Sequence, residues 1–199
     1  MLKKLLIASL MLLPASMYAQ SAPAVKGGES SIWAGGEYAN FNPDYGLGRV
    51  LGVGVVVDYN LFPKWGAEGE ARWLHWNSNN GTTQQLSNYL LGPRYRFLRY
   101  HHLSVWGKFL MGAGLETYPA LLGVDNIPTS TPAGSGSYFA YAPGITGEYQ
   151  VTHRLAVRGG YEWEFWPSAP GAAFTGGAPS NGLTPSGYSA GVTYRVLGR

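Results

Sequence analysis

Three features of the sequence predict an all-β fold, an eight-stranded antiparallel up-and-down transmembrane β-barrel. Eight segments alternate apolar and other residues at period two, their connections alternate short and long, and one face of every segment carries no charge. A fourth feature supports the same class. Only 13% of the 199 residues are charged, against about a quarter in an ordinary soluble domain, while 14% are aromatic and 29 are glycine.

The chain length suits one domain. Lys3 and Lys4 precede the apolar run from Leu5 to Leu13, and small or polar residues (Ala15, Ser16, Ala19, Ser21) follow, which predicts a secretory signal peptide over residues 1–20 with cleavage near Ala19. A short linker, 21–28, and the barrel domain, 29–199, complete the organisation. Removing Lys3 and Lys4 with the signal takes the formal charge from +3 to +1, which gives no reason to expect a nucleic-acid partner. Zero Cys rules out a disulfide framework and thiolate chemistry. No apolar run beyond the signal approaches the ~18 residues of a membrane helix, so a membrane span has to be made of strands.

The strands are expected at 31–41, 50–59, 67–76, 88–97, 103–116, 138–149, 155–166 and 187–196. The first sets Glu37 against Tyr38. The second turns Leu51, Val53, Val55, Val57 and Tyr59 to one side and Gly52, Gly54 and Asp58 to the other. In the third, Glu68, Glu70 and Arg72 oppose Ala71 and Trp73; in the fourth, Arg94 and Arg96 oppose Tyr89, Leu91, Tyr95 and Phe97. Lys108 and Glu116 oppose Val105, Phe109, Met111 and Leu115 in the fifth, and Glu148 opposes Phe139, Tyr141, Ile145 and Tyr149 in the sixth. The seventh, in "VRGGYEWEFW", interleaves Arg158, Glu162 and Glu164 with Val157, Tyr161, Trp163 and Phe165. The eighth sets Arg195 opposite the side bearing Tyr188, Ala190, Val192 and Tyr194. Pro93 and Pro143 fall inside strands of a sheet with no edge, and bulges or bends are expected there.

Alternation does not by itself say which face is outside. A soluble barrel would point the apolar face inward, but that face is crowded with Trp, Tyr and Phe, too bulky for the interior of eight strands. The charged face is interleaved with Gly52, Gly54, Gly92, Gly112, Gly114, Gly144, Gly160 and Gly191, which leave room for long side chains in a narrow lumen. The charges therefore point inward and the aromatics outward, with Tyr38, Trp65, Trp73, Tyr100, Tyr149, Trp163 and Tyr194 in interfacial girdles. Eight acids facing six bases then form a lumenal cluster that is close to balance, with Arg158 expected to pair with Glu162 or Glu164. The turns "NLFPKWG", "LRYHH" and "QVTHR" are tight, whereas "TYPALLGVDNIPTSTPAGSGS" and "PSAPGAAFTGGAPSNGLTPS" are long.

With these residues in view, the chain resembles the eight-stranded bacterial outer-membrane barrels typified by the OmpA transmembrane domain. The last strand, "SAGVTYRV", is the most specific part: Ser189, Gly191, Tyr194 and Val196 are similar to the signal such proteins present to the barrel-assembly machinery. The family usually ends on an aromatic residue, whereas this chain continues through Leu197, Gly198 and Arg199. The resemblance implies an integral outer-membrane location in contact with outer-membrane lipid.

The chemistry expected is sparse. Paired carboxylates such as Glu68 with Glu70 have the spacing of acid-base pairs, but a narrow barrel must neutralise whatever charge it buries, so they are read as a plug. His75, near Asn77 and Ser78, faintly resembles outer-membrane lipid deacylases, without a His-x-Ser spacing or an orienting acid. His101, His102 and His153 lie in turns and do not predict a metal site; no cofactor is implied. The expected function is therefore non-enzymatic: a plugged barrel that contributes to envelope structure and presents its long loops to an extracellular partner. The alternatives are a lipid A deacylase-like enzyme and a small channel.

Overall fold

The computed structural model describes residues 30–44, 48–77, 83–118, 134–170 and 181–198. The expected signal peptide and linker lie outside them. The described residues form ten strands: β1 (Ser31–Asn42), β2 (Val50–Asn60), β3 (Trp65–Asn77), β4 (Thr83–Tyr100), β5 (Leu103–Tyr118), β6 (Gly134–Gln150), β7 (Leu155–Trp163), β8 (Trp166–Pro170), β9 (Asn181–Leu183) and β10 (Ser186–Leu197). Eight of them close an antiparallel barrel in the order β1-β10-β7-β6-β5-β4-β3-β2, and β8 pairs only with β9. Closure follows from the ladder of β1, which pairs with β2 on one side and with β10 on the other. No backbone edge is then left for lipid to desolvate, the condition for crossing a bilayer with strands.

The pleat sorts the side chains as the alternation requires. Glu68 and Arg72 are fully buried, whereas Leu91 and Val53 on the outer face are 64% and 58% exposed. The expected girdle residues all stand on the outside: Trp65, Tyr100, Tyr149 and Tyr194 at the short-turn end, Tyr38, Trp73 and Trp163 at the other. Trp73 donates an indole N–H to the Tyr89 hydroxyl at 3.0 Å, joining β3 and β4 within this outer belt.

Three expectations need correction. The seventh barrel strand ends at Trp163 rather than Trp166. Beyond a single bridge between Phe165 and Tyr141, the chain turns inward, and Trp166 opens the β8–β9 hairpin, with Leu183 as its partner. The segment after the seventh strand is thus not wholly a connecting loop. Secondly, Pro93 and Pro143 are at neither bulge. The β4–β5 register is unchanged from Leu91↔Met111 to Arg94↔Lys108, with the pairs between them unbonded, and the β6–β7 register is likewise unchanged from Tyr141↔Phe165 to Gly144↔Glu162. Each proline therefore points its missing N–H into a gap in one ladder and costs no register. Thirdly, the actual bulges lie at the short-turn end, between Arg96 and Leu98 on β4 and opposite Ile32 and Trp33 on β10.

Candidate functional site

Away from the two bulges every second residue of a barrel strand faces the lumen, so register decides which charges meet there. Arg72 of β3 is central. Its Nε donates to Glu37 of β1 at 2.7 Å and its Nη1 to Glu162 of β7 at 2.9 Å, while Glu70 and Glu164 are also ion-paired with it. Arg94 of β4 pairs with Asp58, with Glu68 at 3.1 Å and with Glu148 at 2.6 Å. Lys108 of β5 reaches Glu68 at 2.9 Å, Glu162 at 2.6 Å and Glu70. Arg158 meets Glu68 at 2.6 Å, Asp58 at 3.2 Å and Glu70 at 3.7 Å.

The result is one buried network of seven carboxylates on four cations, drawing on seven of the eight barrel strands. Arg158 faces across the lumen to β2 and β3, not along its own strand to Glu162 or Glu164 as the sequence suggested; Arg72, by contrast, does pair with Glu70 two positions away on β3. The interleaved glycines make the room. A Cβ on Gly54 would stand 2.9 Å from Cγ of Arg72 and 3.3 Å from Cγ of Glu37; one on Gly144 would stand 2.7 Å from Cγ of Glu162.

The remaining three members of the expected cluster lie elsewhere. Glu116 sits nearer the long-loop end, where it accepts a hydrogen bond from Gln84 at 3.1 Å. Arg96 and Arg195 occupy the short-turn mouth, their guanidinium carbons 5.2 Å and 4.7 Å from the ring centres of Trp106 and Trp33. Arg99 joins them there, a residue that strict alternation passes over. The extra residue in the β4 bulge inverts the facing, leaves Phe97 and Leu98 both outside, and sets Arg99 opposite the inward-facing Ser104.

Above the ionic network, the lumen holds an apolar cluster. Phe41, Val50, Leu74, Leu86, Leu90 and Leu110 from the barrel wall are buried against Trp166, Ala169 and Leu183 of the β8–β9 hairpin. Trp166 donates its indole N–H to Glu164 at 2.9 Å, and Asn88 donates to the other carboxylate oxygen at 2.5 Å. Glu164 thereby joins the apolar cap to the ionic network. Outside the cap, Asp44 accepts hydrogen bonds from the Thr184 backbone N–H at 2.9 Å and from its hydroxyl at 2.6 Å, which ties the end of the hairpin to the first loop.

Among the described residues the lumen is filled twice, by the ionic network and by the apolar cap above it. Purified protein in planar bilayers should show no stepwise ion conductance, and reproducible steps would contradict both fillings.

His75 stands exposed on the outer face, opposite Leu51 and Gln85, with no acid bonded to it among the described residues; Ser78 lies outside them. His101, His102 and His153 are exposed in the short turns. Among the described residues no group of three His, Asp or Glu is placed to hold a metal ion. The last-strand residues lie at the closure seam: Ser189 faces inward, Gly191 pairs with Glu37, and Tyr194 and Val196 face outward.

No family model matches the chain, and no curated protein matches it in sequence. Solved structures do match. The neisserial surface protein A superposes with a TM-score of 0.60 at 13% identity, covering 85% of this chain and 99% of that one. The attachment invasion locus protein of Yersinia pestis gives 0.53 at 16% identity, covering 84% and 98%. The outer membrane protein OprG of Pseudomonas aeruginosa gives 0.54 at 13% identity, covering 84% and 96%. At such identities the likeness is one of fold, and it agrees with the lipid-facing belt and the closed ladder: the chain folds as an eight-stranded bacterial outer-membrane β-barrel.

Proposed function

We propose that the protein is a non-catalytic integral outer-membrane barrel whose external loops bind a partner, with the barrel as a rigid anchor that also contributes to the envelope. The observation that carries this reading is the lumen, closed by the ionic network at its centre and by the β8–β9 cap above it, which leaves no room for a substrate path. Binding is then left to the long connections, the variable and accessible part of such folds. Their composition narrows the mode of recognition. Residues 78–82, 119–133 and 171–180 contain no Lys or Arg, Asp125 is their one acid, and the first loop adds one of each sign, Asp44 and Arg49. A partner met there is held by hydrogen bonds and apolar contact, so its binding depends little on salt. The last strand supports delivery to this location through Ser189, Gly191, Tyr194 and Val196, the residues that resemble an assembly signal.

The test is loop deletion in cells. Removing residues 121–133 leaves the described strands intact, and loop-closure cost changes slowly with length. The variant should still fractionate with the outer membrane and still shift its gel mobility on boiling, while adhesion of expressing cells to host-cell layers falls to the vector level. A companion deletion has to stay within 171–180, because Asn181–Leu183 is a strand that packs in the cap. Adhesion unchanged by both deletions would refute the loop-binding role.

A further inference from the structure

The short-turn mouth of the barrel differs from the network above it in having cations that no acid pairs with among the described residues. A cavity of about 340 Å³ opens there, with Arg96, Arg99 and Arg195 on its wall. Glu148 is the one carboxylate that lines it, and Arg94 already holds Glu148 at 2.6 Å. Among the described residues none of the three arginines has a carboxylate within ion-pairing distance. Two of them rest on indole faces instead. The wall also carries a donor without an acceptor: Trp106 is 97% buried, and its Nε1 has no hydrogen-bond partner, as is true of Nε of Arg195.

The surroundings repeat this charge bias. The turns at this end carry Lys64 and Arg154 with His101, His102 and His153, and "NLFPKWG", "LRYHH" and "QVTHR" contain no acid at all. The basic residues at this mouth favour anions, whereas the loops at the far end carry only Asp44, Arg49 and Asp125. Three guanidinium groups with free N–H forks around one water-accessible space make a donor set for tetrahedral oxyanions, because the fork matches two oxygens of a phosphate at once.

We propose that this mouth is a binding site for a phosphate group, held by Arg96, Arg99 and Arg195. Arg96 and Arg195 keep the regular register of their strands, opposite Trp106 and Trp33, and the β4 bulge turns Arg99 inward beside them. Short turns of such barrels face the periplasm, so the phosphate comes either from a water-soluble phosphate compound or from the headgroup of an anionic phospholipid in the inner leaflet.

The experiment uses the refolded barrel in phosphatidylcholine nanodiscs, with the indole N–H signals of Trp33 and Trp106 followed by NMR. Inorganic phosphate is titrated in one arm, and phosphatidylglycerol replaces part of the lipid in the other. Saturable shifts of these two signals are expected in at least one arm: in the phosphate arm they identify a soluble phosphate, and in the lipid arm alone a headgroup. Either Arg99→Gln or Arg195→Gln should weaken binding about tenfold or more, the loss of one charge-assisted contact. Both variants should retain the gel-mobility shift on boiling, since neither residue belongs to the buried network. Absence of saturable shifts in both arms would overturn the proposal. So would equal shifts with chloride at matched ionic strength, which would reduce the effect to screening, and so would full binding by the double Gln variant.

Discussion

Replacing Arg72 by Ala should destabilise the barrel by about 3–5 kcal/mol, the cost of leaving buried charges without their partner. Arg72 is fully buried and bonds Glu37, Glu70, Glu162 and Glu164, which come from both sides of the closure seam. Its removal leaves Glu37 without an ion-pair partner and takes one from Glu70, Glu162 and Glu164, in a space too narrow to hydrate them freely. Reversible unfolding from lipid vesicles in denaturant measures the loss as a lower midpoint. Two controls assign it to charge rather than volume. Arg72→Met keeps much of the stem yet should lose nearly as much stability, whereas adding Glu162→Gln to Arg72→Ala should recover part of it. Glu164→Gln alone should cost less than Arg72→Ala, about 1–3 kcal/mol: its contact with Arg72 is long, at 3.4 Å, and the amide oxygen still accepts from one of Asn88 and Trp166 while the other loses its acceptor. A loss below ~1 kcal/mol for Arg72→Ala would mean that water enters the lumen centre and solvates the acids.

The same residues show what a sequence carries and where it stops. Period two identifies Glu37, Asp58, Glu68, Glu70 and Arg72 as sharing an inward face, because facing depends only on parity along one strand. It does not say which opposite wall each side chain meets, which depends on the register of distant strands; hence Arg158 pairs with Asp58 and Glu68 and not within its own strand. Parity also places Leu74, Leu90 and Leu110 inside, but inward leucines have meaning only once something apolar fills the space between them. That filler, the β8–β9 hairpin, comes from a Gly- and Pro-rich stretch that reads as a loop, and its pairing of Trp166 with Leu183 is invisible to local alternation. Arg99 escaped for a related reason: one inserted residue in β4 inverts every facing after it, and nothing in "RYRFLRY" marks where the insertion falls.

The cap makes the second large prediction. Trp166→Ala should destabilise the barrel by about 3–5 kcal/mol, the range for deleting a fully buried large aromatic side chain. The ring fills the lumen between wall residues such as Leu86, Leu90 and Leu110, and it packs so closely on Gly114 that a Cβ added there would overlap the indole. That contact supplies an internal control. Gly114→Ala should destabilise the wild-type barrel by forcing the ring aside, yet do little harm in the Trp166→Ala background, where the methyl group enters vacated space. The two losses should therefore be strongly non-additive in denaturant unfolding. Trp166→Phe isolates the polar contribution: it refills most of the volume but removes the indole N–H from Glu164, and should cost about 1–3 kcal/mol. None of the three variants should conduct ions, because the Arg72, Arg94, Lys108 and Arg158 network below the cap is untouched. Additive losses for the Gly114 and Trp166 changes would show that the indole does not occupy the lumen, and stepwise conductance in Trp166→Ala would show that the cap, rather than the ionic network, closes the barrel.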